Sequence, residues 1–420
     1  MATTPGPARR GAFLKSLDFR DWRIGSKLIG AFLTVVILSL VLVGYISIST
    51  SREALIKQGT INLNAISAST SRALDEYLFV QRQDIITLKS SSDIIAFASN
   101  PTSETARANA LKILLATNKK HYESVAIVNL EGTIILSSAI ADVGNSVQAS
   151  TYFADARRGV SYISDPSIST ISNSPAIFFS APILGGGGNI LGVLRSRLSL
   201  DGIWDLVEND KDAAGPGTVG LLLDGNGIRL ATSWSQNNRE AMTKSLLYNA
   251  VAPIPDITQK QFADEKRFGN AASARVAVIP LPEVAAALKD PAVKVFEATA
   301  DNSAVRHIAS VTALQNKPWR YVVMAPIPTF TSAADNLTLQ LSIIGFFVTV
   351  ATCVAVVILA RNFTQPIVHL TQVADRISLG ELDIQIEIDR KDEIGDLAQA
   401  IGRLQAGLQA TMDRLRSRQS

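Results

Sequence analysis

The sequence predicts an α+β outer domain of two lobes on one long stalk helix, set between two transmembrane helices and followed by a short helical module. Three observations predict it. Two charge-free apolar runs lie towards the two ends of the chain. The strand signals between them come as a repeated pair of hairpins. The C-terminal stretch carries heptads interrupted by an alternating segment.

Bulk properties narrow the classes first. At ~150 residues per domain, 420 residues predict two or three folding units. The charge of +3, from 40 Lys+Arg and 37 Asp+Glu, is too balanced for a nucleic-acid binder, and 47% hydrophobic content argues against disorder. A single Cys excludes an intramolecular disulfide and any Cys-clustered zinc or iron–sulfur site. Scattered His121, His307 and His369 make no histidine-rich metal site, so neither metal nor cofactor is expected.

The first apolar run is 28–48 (LIGAFLTVVILSLVLVGYISI), 21 residues without a charge, and the second is 337–360. Each exceeds the ~20 residues that cross a ~30 Å hydrocarbon layer. The long basic lead-in and the absence of a small-x-small cleavage site argue against a cleaved signal peptide. Arg9, Arg10, Lys15, Arg20, Arg23 and Lys27 precede the first run, and Arg361 follows the second. The positive-inside rule therefore places both termini (1–27 and 361–420) in the cytoplasm of a cell with an inner membrane, and 49–336 outside. That outer segment holds 26 Lys+Arg and 26 Asp+Glu, so it does not work by gripping polyanions. Cys353 lies in the second run, which leaves the outer domain without thiol chemistry.

Between Thr60 and Asn100 there is neither Gly nor Pro, and Leu63, Ile66, Ala73, Tyr77 and Val80 fall at helical spacing. This predicts one continuous stalk helix, whose 40 residues would reach about 60 Å at 1.5 Å per residue. A second helix is expected from Ser103 to about Lys120. Strands follow: 125–130 and 133–138 around Glu131-Gly132, a short helix at 151–158, then 176–184 and 190–200 around a four-Gly turn. The pattern recurs at 219–223 and 228–232 around Asp224-Gly225-Asn226-Gly227, and at 306–314 and 320–325 around Asn316-Lys317-Pro318. This is an internal duplication, with a distal lobe at about 120–205 and a proximal lobe at about 215–327.

The stalk, TYFADARRGVSYISDP (151–166), FFSAPI (178–183), ILGVL (190–194) and KPWRYVVMAPI (317–327) together resemble the double-Cache extracytoplasmic sensor family of bacterial chemoreceptors and sensor kinases. The resemblance covers about 50–330 and implies PAS-like lobes on a stalk helix, with a small-molecule ligand in the distal lobe. It also implies pocket walls at Tyr152, Phe153, Asp155, Tyr162, Asp165, Phe178 and Ser180. Amino-acid-binding members carry an Arg two residues before a Trp-Tyr pair and an Asp late in a following strand. Here Ser150 replaces the Arg, Tyr152-Phe153 replace the pair, and Arg197 stands where the late Asp would be, so that pattern is not met.

Arg195 and Arg197 alternate with Leu194, Ser196 and Leu198, so both leave the same strand face. If that face lines the pocket, two guanidinium forks favour a carboxylate or another organic anion. The alternative is a solvated strand face carrying two surface arginines.

Beyond the second run, Pro366 precedes an apolar seam at Ile367, Leu370, Ala374 and Ile377, which Gly380-Glu381-Leu382 ends. Leu382, Ile384, Ile386 and Ile388 then alternate with polar residues, predicting an extended connector. Asp392-Glu393-Ile394-Gly395 opens a second helix, with Ile394, Leu397, Ile401, Leu404, Leu408, Thr411 and Leu415 in heptads. Two such helices cannot bury their seams alone, whereas four from a homodimer form a parallel bundle. The segment 361–413 resembles a HAMP linker, which implies signalling roles for Pro366, Gly380, Glu381, Leu382, Asp392, Glu393 and Gly395.

No nucleophile–base set, phosphate-binding Gly loop or metal-ligand run is legible, so no enzymatic activity is expected; Gly185–Gly188 precedes a strand and reads as a hairpin turn. After 413 only a short tail (414–420) follows, with no kinase, cyclase or chemoreceptor output domain. The expectation is a receptor that binds a small extracytoplasmic ligand, sits in the lipid bilayer and relays a change to a separate cytoplasmic signalling protein. Two alternatives stay open: the sensory half of a receptor, kinase or cyclase, and a non-signalling scaffold or transporter-associated module.

Overall fold

The computed structural model describes residues 24–117, 121–233, 245–270, 275–300, 304–386 and 390–419. The basic residues Arg9, Arg10, Lys15, Arg20 and Arg23 lie outside the described residues, as do Lys120 and Ile388. The chain divides into an α/β unit, Glu53–Ser332, and a helical unit made of Met1–Arg52 and Ala333–Ser420.

In the α/β unit, helix α1 (Ile24–Leu88) buries Leu63, Leu74, Leu78 and Ile85 on one stripe. Their steps of eleven, four and seven are each close to whole turns of the helix, so one face alone meets the core. The expected unbroken helix from 60 to 100 is not found. The chain turns at Lys89–Ser91, and α2 (Ser92–Ser99) begins afresh after Ser91, whose backbone is extended (φ −66°, ψ 131°). Serine hydroxyls compete for backbone partners, so three consecutive serines weaken a helix interior that Gly and Pro do not interrupt. The turn lets Ile94 and Phe97 enter the core. Helix α3 (Glu104–Ala116) is capped by Ser103, which accepts from the Ala106 N–H at 3.3 Å.

The first sheet comprises β1 (Tyr122–Val128), β2 (Ile134–Ser137), β3 (Tyr162–Ile163), β4 (Ser167–Ile168), β5 (Pro175–Leu184) and β6 (Ile190–Ser199). Its order is β2-β1-β6-β5-β3, with β4 also on β5, and every pairing is antiparallel. Side chains alternate between its faces. Val125, Ile127, Ile177 and Phe179 join the core shared with α1, α2 and α3. Ala126, Val128 and Phe178 enter a second core with Tyr152 and Phe153 of α4 (Thr151–Arg157). Gly192 is required on β6, because a Cβ there would sit 2.7 Å from the Val128 carbonyl oxygen.

After α5 (Asp201–Glu208), strands β7 (Val219–Leu223) and β8 (Arg229–Thr232) open the second lobe. A short parallel pair, β9 (Asn249–Ala250) with β10 (Ala277–Val278), flanks α6 (Asp256–Asp264), and α7 (Pro282–Lys289) follows. With β11 (Val295–Thr299), β12 (Arg306–Ala313) and β13 (Arg320–Pro326), β7 and β8 form an antiparallel sheet of order β11-β12-β13-β7-β8. The hairpins β1–β2 with β5–β6, and β7–β8 with β12–β13, fall where the duplicated pattern predicts them.

In the helical unit, α1 and α8 (Ile327–Leu359) are long and apolar enough to cross a membrane. Val35, Leu38, Val43, Phe346, Phe347 and Val354 are exposed on them. A π-helical turn, Ala360–Thr364, leads to α9 (Gln365–Ser378), with Pro366 in its first turn where a missing N–H costs nothing. Helix α10 (Glu393–Gln419) completes the unit. Leu370 packs with Ile394 and Ala398, and Val373 and Ile377 are also buried on α9. Ile367 is exposed, and Val373 holds the inward position the sequence reading gave to its neighbour Ala374. Glu381–Ile386 is irregular in backbone, with Leu382, Ile384 and Ile386 half-buried between exposed neighbours. Gln405 Nε2 donates to the carbonyls of Leu382 (2.7 Å) and Ile384 (2.8 Å), which ties this connector to α10.

Candidate functional site

A cavity of about 280 Å³ opens in the α/β unit, walled by residues of both lobes. The first lobe supplies the chain before and within α4, the β3–β4 region and β5. The second supplies Asn226 of the β7–β8 turn, α6 and the residues after it, up to Arg267. Serine and threonine hydroxyls (Ser146, Ser150, Thr151, Ser164, Ser167, Ser169, Thr170 and Thr258) dominate the wall. The two lobes meet there through backbone, since the Ile168 N–H donates to the Arg267 carbonyl at 2.9 Å.

Tyr152 and Phe178 stack with centroids 4.6 Å apart and form the aromatic wall. Tyr162 lines the cavity beside Asp165, and burial, with help from the Asp165 charge, pushes its phenol up to about 12. Asp165 Oδ1 accepts from Lys317 Nζ at 2.8 Å and from Trp319 Nε1 at 3.0 Å. Burial alone would raise the Asp165 carboxyl, but the charges of Lys317 and Arg267 and these two hydrogen bonds hold it below the ordinary range. Lys317 Nζ also donates to the Ile163 carbonyl at 3.1 Å and lies 5.5 Å from the Tyr162 ring centroid.

Of the residues named from sequence, Tyr152, Tyr162, Asp165 and Phe178 line this cavity. Phe153 is buried in the core beneath α4. Asp155 pairs with Arg158 instead of facing the cavity. The Ser180 hydroxyl donates to the Tyr152 carbonyl at 2.7 Å, which fixes α4 on the sheet.

Arg195 and Arg197 take up neither of the two placements expected for them. They are 0% and 5% exposed, so they lie on no solvated face, and neither lines the cavity. Arg195 donates to Ser124 Oγ and to Asp142 Oδ2, both at 3.0 Å. Arg197 donates to Glu123 Oε2 at 2.7 Å and to Asp142 Oδ1 at 3.0 Å. Asp142, fully buried, sits in a short 3-10 turn after β2 that carries its carboxylate over the two arginines. Burial would push the Asp142 carboxyl up, but Arg195, the Ser124 hydroxyl and Arg197 hold it below its usual range. Both guanidinium groups are thus committed to internal carboxylates.

Sequence reasoning missed the second lobe's share: Asn226, Thr258, Gln261, Phe262, Glu265, Lys266 and Arg267. No local motif marks them, because the Ile168–Arg267 contact that brings them in joins positions far apart in the chain. Among the described residues, no group of His, Cys, Asp and Glu could hold a metal ion.

In the helical unit, the residues named for signalling from the sequence cluster at the helix junctions. Gly380 (φ +93°) ends α9, and Arg376 donates to Glu381 at 2.7 Å just beyond it. Asp392 accepts from the Gly395 N–H at 3.1 Å and from Arg390 at 2.6 Å, capping α10. A Cβ at Gly395 would overlap the Arg390 carbonyl, so only glycine allows this close approach. Glu393 opens α10 as an acidic first-turn residue, favourable at a helix N-terminus.

Residues 358–410 match the HAMP domain family. No curated protein matches the sequence. Among solved structures, the sensor domain of the V. cholerae histidine kinase DctB is similar at 14% identity, covering 65% of this chain and 98% of that one, with a TM-score of 0.50. The ligand-binding domain of the Campylobacter jejuni chemoreceptor Tlp3, solved with 4-methylisoleucine, is similar at 13% identity over 66% of this chain and 94% of that one, with a TM-score of 0.45. The Pseudomonas fluorescens chemoreceptor CtaA domain, solved with L-alanine, is 13% identical over 64% of this chain and 98% of that one, with a TM-score of 0.41. At these identities the likeness is one of fold. The α/β unit is a mixed α/β domain resembling Cache-type sensor domains, and the same chain carries a HAMP domain.

Proposed function

We propose that the chain is a transmembrane signal receptor whose α/β unit binds a small ligand outside the inner membrane and whose HAMP domain relays the change to a separate cytoplasmic protein. The observation that carries this reading is a cavity walled by both lobes, in a unit whose last strand, β13, runs without a break into α8 and on to the HAMP segment. In this reading 28–48 and 337–360 cross the bilayer, 49–336 is extracytoplasmic, and 1–27 and 361–420 are cytoplasmic, as the flanking arginines and lysines favour. The binding residues are Tyr152, Tyr162, Asp165 and Phe178 with their second-lobe neighbours.

The signalling form is a homodimer. Leu397, Leu404 and Leu408 are exposed on α10, and a second copy of α9 and α10 would cover them in a four-helix bundle. A ligand biases the HAMP packing only through its differential affinity for the two states, and a swing from 1:99 to 99:1 needs about 10⁴-fold.

The test uses the full chain in nanodiscs, with Cys353→Ser and Leu397→Cys. Ligands found by thermal shift in a panel of carboxylates, amines and sugars are expected to change the rate of disulfide formation between two copies. Ligand binding without any change in that rate overturns the relay.

A further inference from the structure

We propose that the cavity takes a small organic monoanion whose carboxylate docks on Arg267, so that the ligand ties the second lobe to the first; this rests on reading the cavity as the ligand site. Arg267 lines the cavity and is 4% exposed. A guanidinium carries five donors. Arg267 makes one side-chain hydrogen bond, from Nη2 to Asp224 Oδ2 at 2.7 Å, and its Nε is buried with no partner among the described residues.

Asp224 offers it little more. Its Oδ1 accepts the backbone N–H groups of Asn226 and Ile228, each at 2.8 Å, which fixes the carboxylate in the β7–β8 turn. The Phe262 ring lies 4.6 Å from the Arg267 guanidinium carbon and holds the fork from one side. A buried, pinned guanidinium with unused donors is matched best by a planar oxyanion that accepts two parallel hydrogen bonds. Arg195 also has a buried Nε without a partner among the described residues, but Arg195 and Arg197 each direct two nitrogens onto internal acceptors and neither reaches the cavity, which leaves Arg267 as the arginine placed to do this.

Charge limits the ligand further. Asp165 and Glu265 line the cavity together with Lys266 and Arg267, so the wall carries no excess positive charge to match a dianion such as phosphate. The hydroxyl-rich wall and the Tyr152–Phe178 stack accommodate a short polar body behind the carboxylate. Such a ligand contacts the first lobe through its body and the second through its head, adding to the bonds that already join the lobes.

Titration calorimetry on the full chain in nanodiscs tests this with the monoanions acetate, lactate and pyruvate, their amides, inorganic phosphate and putrescine. At least one carboxylate is expected to bind wild type, with its amide at least tenfold weaker. Arg267→Lys, which keeps a charge beside Asp224, is expected to weaken carboxylate binding at least tenfold. The paired variant Arg267→Met/Asp224→Asn removes both buried charges together, stays folded by circular dichroism and loses carboxylate binding. Carboxylate binding at wild-type strength in both variants overturns the Arg267 anchor, as does preference for phosphate, an amide or putrescine, while leaving the ligand site itself standing. If no member of the panel binds wild type, the anion proposal and the ligand-site reading fall together.

Discussion

The Trp319 indole N–H donates to Asp165 at 3.0 Å, so a carboxylate in the cavity wall is bonded to the residue immediately before β13. Lys317 meets the same oxygen at 2.8 Å from the β12–β13 turn. The two bonds make a clasp between the lobes, and they share one acceptor.

Because they share it, their contributions couple. Asp165→Asn and Trp319→Phe are each expected to destabilise the protein by about 1.5–3 kcal/mol, the range for hydrogen bonds to a charged group, with the double variant losing less than the sum. Urea denaturation of the full chain in detergent measures this, and strict additivity would break the clasp argument.

The Asp142 network is buried, so removing one member strands the others. Asp142→Asn leaves Arg195 and Arg197 facing a neutral amide and is expected to cost about 3–5 kcal/mol. Asp142 has its carboxyl held down in the fold, so its contribution is complete above the ordinary carboxylate value and disappears as pH falls through the lower folded value. Thermal melts in acid should therefore fall more steeply for wild type than for the variant.

Asp210 has the opposite sign. Burial pushes its carboxyl up despite hydrogen bonds from Thr70 and Tyr321, each 2.6 Å. The fold favours its protonated form, so stability declines as pH rises from the unfolded to the folded value. Asp210→Asn, a neutral mimic that still accepts both bonds, is expected to remove that decline and to match or exceed wild type at neutral pH in the same melts.

Gly192→Ala puts a methyl group 2.7 Å from a backbone oxygen that cannot rotate away. Spreading β1 from β6 is expected to cost about 1–3 kcal/mol, the range for overpacking, and a variant as stable as wild type in urea would show that the strands separate freely.

What the sequence disclosed was the locally encoded part. Both sets of hairpins, α4 and the two helices around the alternating connector depend on neighbours a few residues apart, and they stand where the patterns placed them. The stalk break at Ser90–Ser91 was hidden because absence of Gly and Pro is weaker than three serines together. The fate of Arg195 and Arg197 was hidden because Asp142 reaches them from a turn on another strand pair. Arg267 was hidden for the same reason, since it is brought to the cavity by a contact with Ile168.

The sheet order β11-β12-β13-β7-β8 leaves β13 with a bonded neighbour on each side. A pull on the chain at Pro326 therefore loads two ladders in shear at once, and none of their bonds can be peeled off singly as from an edge strand. The strand is an anchor plate: whatever displaces it must carry the other four strands along.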